Sequence, residues 1–163
     1  MVEQLRQADV TQGLSQARLQ TLSAVARVRS LRGGEYLFLL GDPAHYLSVV
    51  VKGQVDLCFP MDFGGTVKDI AVESAGPGRT VGWSALVKPY RFTLSARATE
   101  AADVLAFGRQ DLFRLFDADP ELGRALSAAV AEIVGARLSM FQALWARELR
   151  RALETDRQRL SAG

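Results

Sequence analysis

The sequence predicts an α+β chain that is mainly β, an antiparallel barrel or jelly roll with a leading helix and a long closing helix. Three observations predict it. Between Glu35 and Phe107 short apolar runs alternate with Gly/Pro turns at about 8–12-residue spacing, the signature of a closed or rolled antiparallel sheet. Before that region Leu19, Leu22 and Ala26 recur at helical spacing. After it, a helical pattern free of internal proline runs from Asp119 to about Leu160.

Each element has a local cause. Ser15 can cap the first helix by accepting a hydrogen bond from an early backbone N–H, and Arg32-Gly33-Gly34 breaks the pattern with a turn. Tyr36 to Leu40 reads as a strand, and Gly41-Asp42-Pro43 as a turn. Tyr46 to Val51 is a second strand, ended by Lys52-Gly53. Val55, Leu57 and Phe59 alternate with Asp56 and Cys58, and Gly64-Gly65 precedes a strand from Val67 to Val72. Ala75-Gly76-Pro77-Gly78 is a loop, and strands at Phe92 to Ala98 and Val104 to Phe107 complete the set. Gln110 to Phe116 reads as a short helix. At Asp119-Pro120-Glu121 an N-cap, a proline at the first helical position and an acid favoured by the helix dipole stand together. The helix they open would be roughly 60 Å long at 1.5 Å per residue. Its apolar stripe runs through Leu126, Val130, Val134, Leu138, Phe141, Trp145 and Leu149, widened by Ile133, Met140 and Leu144. The charged end, Arg150, Arg151, Glu154, Asp156, Arg157 and Arg159, reads as a solvated helix terminus. The expected organisation is therefore 1–118 for the roll with its leading helix and 119–163 for the long helix.

Composition excludes several classes. The 163 residues are 48% hydrophobic and 23% charged, enough for one substantial core. The net charge of +2 does not suggest a dedicated nucleic-acid surface. Cys58 is the single cysteine, so no internal disulfide can form, which fits a reducing, cytoplasmic setting. No apolar leader opens the chain, and no run of about 18 apolar residues is present to cross a membrane. His45 is the only histidine, too few for a metal site of the jelly-roll enzymes or for a Ser-His-Asp hydrolase with a nucleophile elbow. Neither a metal nor an enzymatic activity is expected.

The stretch from Val81 to Ala98, VGWSALVKPYRFTLSARA, carries the chemistry. Gly82 allows close backbone approach, and a helical turn opening near Ser84 would present amides to an anion. This stretch resembles the phosphate-binding cassette of the cyclic nucleotide-binding domains of the catabolite activator protein superfamily. Gly82, Ala85 and Leu86 make the sharpest match, and Gly41 and Gly53 support it. The resemblance implies a β-roll of the double-stranded β-helix type and a regulatory sensor binding cyclic AMP, cyclic GMP or another small anion. It also implies a homodimer formed through the long helix.

Laid on this sequence without gaps, the family's ribose glutamate falls on Trp83 and its phosphate arginine on Phe92. The hydroxyl position falls on Leu94, or on Ser95 one step later. Arg91 precedes the arginine position and is the substitute counter-charge, with Thr93 and Ser95 as hydroxyls. The purine contacts fall near Arg137 and Leu138. The expected ligand set is thus Gly82, Trp83, Ser84, Ala85, Leu86, Arg91, Thr93, Ser95 and Arg137. The alternative is a ligand-free dimerisation or protein-interaction module, its pocket filled by Trp83 and Phe92 and its long helix free for a protein partner. The activators append a helix-turn-helix after the long helix. This chain stops at Gly163, so a stand-alone domain that does not bind DNA by itself is expected.

Overall fold

In the computed structural model residues 1–161 are described, with side chains to Thr155. A short helix α1 (Val2–Arg6) and a 3-10 turn (Asp9–Thr11) lead into α2 (Gln16–Val25). Ser15 caps α2 through its Oγ, 3.4 Å from the Arg18 amide, as expected. Leu19 and Leu22 are buried, but the helix stops before Ala26, which opens strand β1 (Ala26–Leu31). This strand escaped the sequence reading because Arg27, Arg29 and Ser30 dilute its apolar content.

Seven further strands follow: β2 (Tyr36–Phe38), β3 (Tyr46–Lys52), β4 (Val55–Asp62), β5 (Val67–Ala75), β6 (Thr80–Val81), β7 (Ser95–Ala98) and β8 (Ala102–Gly108). They form two antiparallel four-stranded sheets, in the orders β1-β8-β3-β6 and β2-β7-β4-β5. The inner faces of the two sheets meet in a core built on Leu31, Val50 and Val104 from one side and Val55, Leu57 and Ala96 from the other. The predicted β-roll is the observed fold. The expected strand at Phe92 begins only at Ser95, because Phe92 bonds the neighbouring loop: its N–H donates to the Asp42 carbonyl (3.0 Å) and its carbonyl accepts from Gly41 N–H (2.8 Å). The tight turn at Gly53 needs a glycine. Its φ is +73°, and a Cβ would run into the Ala101 carbonyl.

Gly108 passes the chain into α3 (Arg109–Ala118), and α4 (Pro120–Ser161) follows at once. Asp119 caps α4 as the sequence predicts, accepting from Leu122 N–H at 3.1 Å. The same carboxylate receives a two-pronged bond from Arg18 of α2, at 2.7 and 3.0 Å. Leu122, Leu126 and Val130 bury the first turns of α4. The chain divides into two compact units, Met1–Val130 and the remainder of α4 from Ala131. In the second unit Leu138, Trp145, Leu149 and Leu153 are exposed. Arg150, Arg151 and Glu154 are exposed too, while the side chains of Asp156, Arg157 and Arg159 lie outside the described residues.

Candidate functional site

β6 ends at Val81, and Gly82 turns the backbone into the left-handed region at φ +76°. A single 3-10 turn, Trp83–Ala85, follows. It is closed by its own bonds: Ala85 N–H donates to Gly82 (3.0 Å) and Leu86 N–H to Trp83 (2.9 Å). Two of the amides expected to meet an anion are therefore already occupied by protein carbonyls.

The space over Gly82 is filled as well. A Cβ placed there would stand 2.9 Å from the Tyr46 carbonyl, 3.2 Å from the Phe92 ring and 3.4 Å from the Phe38 ring. Phe38 and Phe92 stack face to face, with centroids 3.7 Å apart and planes 7° from parallel. Phe92 is buried and Phe38 partly buried. The alternative sequence reading named Phe92 together with Trp83 for this space, whereas the ring stacked on Phe92 is Phe38. Phe38 was missed because it lies about fifty positions upstream, and only the pairing of the two sheets brings it to Gly82.

The other expected ligand groups are scattered. Trp83 is half-buried at the head of the turn, and Ser84 and Ala85 are buried. Arg91 is exposed, and its guanidinium donates to the Gly41 carbonyl at 2.8 Å. Thr93 is exposed. Ser95 is buried and its Oγ accepts from Leu40 N–H at 3.0 Å. Arg137 belongs to the second unit, on α4. The fold thus gathers Gly82, Trp83, Ser84, Ala85 and Leu86 into one turn, but binds Arg91 and Ser95 to the adjacent Leu40–Gly41 backbone.

The loop after the turn is tied down from two sides. The Tyr90 carbonyl accepts from Ala44 N–H at 2.7 Å, and Arg91 pairs with Pro43 in an isolated β-bridge. Tyr90 itself stands at φ +58°, a conformation costly for a bulky residue. Arg109, the first residue of α3, lays its guanidinium over the Tyr90 ring at 4.5 Å and donates to the Ala44 carbonyl at 3.2 Å. Phe113 meets the same ring edge-on. These contacts offset the backbone cost and couple the cassette loop to α3.

Beside the stacked rings opens a groove of about 450 Å³. Phe38, Phe92, Tyr46 and Ala106 supply apolar wall, and Arg27, Arg29 and Ser48 supply polar groups. None of the last three was expected from the sequence: Arg27 and Arg29 lie on the unseen β1, and Ser48 lies on the expected strand β3 but joins them only through the cross-strand pairing of β1, β8 and β3. Elsewhere, burial raises the Cys58 thiol above its ordinary value, which suits an inert core cysteine. Among the described residues no group of three or more His, Cys, Asp or Glu could hold a metal ion, and no helix is long and apolar enough to cross a membrane.

Known proteins agree with this architecture. A protein from Geobacter metallireducens GS-15 assigned to the cyclic nucleotide-binding proteins is 30% identical, with a TM-score of 0.68 over 83% of this chain and 96% of that one. The N-terminal domain of a transcriptional regulator from Streptomyces coelicolor is 28% identical, with a TM-score of 0.69 over 85% and 94%. The catabolite activator protein of Thermus thermophilus is 25% identical, with a TM-score of 0.68 over 84% and 63%. No curated protein sequence matches the chain. The family profile described as the cyclic nucleotide-binding domain matches residues 28–119, from β1 through the cassette to the cap of α4. With that profile laid over the roll, its glycine turn and α3, the chain belongs to the cyclic nucleotide-binding domain family.

Proposed function

We propose that this chain is a regulatory domain whose cassette is closed to cyclic nucleotides and whose long helix carries the output. The observation that supports it most is the Phe38–Phe92 stack lying against Gly82, where a cyclic phosphate would have to enter. The polar anchors are missing from the same place. Trp83 stands where the ribose carboxylate would be, and the Arg91 guanidinium donates to the Gly41 carbonyl. A hydrogen bond to a charged group contributes about 1.5–3 kcal/mol, so two absent anchors weaken a nucleotide by about two to four powers of ten. The reading we adopt is thus the second sequence reading, a ligand-free module with its pocket filled by Trp83 and Phe92, with Phe38 rather than Trp83 stacked on Phe92 over Gly82.

The output element is α4. Its exposed Leu138, Trp145, Leu149 and Leu153 form a stripe suited to a second copy of the same helix. The division at 118/119 would make the roll the receiving part and the helix the transmitting one. The Tyr90–Arg109 contact supplies a mechanical link between the cassette loop and α3. The reading is one of binding and regulation, without a catalytic step.

Calorimetric titration with cyclic AMP and cyclic GMP tests the closed cassette. No saturable heat is expected at millimolar nucleotide. Saturable binding of either overturns the reading, and its loss in Arg91→Ala would make Arg91 the phosphate partner after all.

A further inference from the structure

Arg27, Ala106 and Ser48 stand in one cross-strand row, β1 to β8 to β3, on the face that continues into the inter-sheet core. All three line the 450 Å³ groove beside the stacked phenylalanines, a volume within the range of small-molecule sites. Ser48 is only 2% exposed as a residue, and its short hydroxyl side chain lines the groove.

The charge at the mouth is also selective. Arg29 is engaged, its two terminal nitrogens donating to the Leu37 (3.1 Å) and Tyr36 (3.4 Å) carbonyls of β2, which ties the edge strands of the two sheets together. Arg27 is exposed and, among the described residues, has no side-chain partner. Asp42 lies on the lining too, so two arginines against one carboxylate leave the mouth cationic. The site therefore offers one available guanidinium fork, one hydroxyl and aromatic walls.

We propose that this groove binds a small organic acid with an apolar, flat body and a single carboxylate. The body would lie against Phe38, Phe92 and Tyr46, the carboxylate would take the Arg27 fork in two parallel hydrogen bonds, and Ser48 would donate to the same end. The site is distinct from the cassette turn and does not rest on the closed-cassette reading.

The test uses the full chain and 2-naphthoate as probe, followed by calorimetry and by amide chemical shifts. Saturable binding with Kd about 1 mM or tighter is expected, with shifts centred on Arg27, Ser48 and Ala106. Arg27→Gln, an exposed change that leaves the core alone, should weaken it at least about tenfold, and so should replacing the probe by the neutral 2-naphthalenemethanol. No saturable binding, equal affinity in Arg27→Gln, or equal affinity for the neutral probe overturns the proposal. Heat from cyclic AMP would overturn the closed cassette and leave this groove standing, and a flat naphthoate titration would do the reverse.

Discussion

Gly82 separates two costs that are usually confounded. Its φ of +76° alone penalises an L side chain, and a Cβ would also press on the Tyr46 carbonyl and the Phe92 ring. Gly41 has a similar φ of +86° but nothing within 4 Å of where its Cβ would be. Gly41→Ala should therefore lose about 1 kcal/mol, the backbone term, whereas Gly82→Ala should lose distinctly more. Urea unfolding of both variants checks this, and equal losses would mean that the rings over Gly82 yield without cost. The same crowding is why the cassette's glycine was legible in the sequence while its occupant was not. A glycine announces a backbone requirement locally, but the ring that fills the space comes from another strand.

The junction of α2, α3 and α4 turns on one carboxylate. Asp119 is held below its ordinary value first by the hydrogen bond from Arg18 and then by the Leu122 amide. A depressed carboxylate adds stability that is present above its unfolded value near 3.8 and is lost as pH falls through the lower folded value. Thermal melts by circular dichroism should thus show a falling Tm as pH drops below about 4. Asp119→Asn, which can still cap the helix but carries no charge, should have a lower Tm at neutral pH and a flatter profile in that acid window. An unchanged acid profile would remove Asp119 from the balance. Sequence predicted the cap from Asp119-Pro120-Glu121, since capping is a local matter. It did not predict Arg18, whose contact spans about a hundred positions.

At the scale of the whole molecule, the proposed dimer rests on the exposed stripe on α4. Trp145 is 70% exposed and Leu153 62%, and burying a large apolar side chain is worth about 1.5–3 kcal/mol. Light scattering at micromolar concentration should give the mass of a dimer, and Trp145→Glu should shift it toward the monomer while the circular dichroism of the roll is kept. A monomer mass for the unaltered chain would contradict the dimer.

The sequence by itself determined the leading helix, most of the strands, the glycine turns and the cap of α4, and a cassette motif that resembles the family, because each is carried by periodicity or by residues close together in the chain. It missed β1 and the two-residue β6, one too charged and the other too short for an alternating pattern to register. Only the tertiary structure decided what stands over Gly82, what Arg91 and Ser95 bond to, and that Arg27 and Ser48 share a groove. Those outcomes depend on which strands pair and on which face each side chain emerges, and pairing across two sheets brings together residues that no local pattern links.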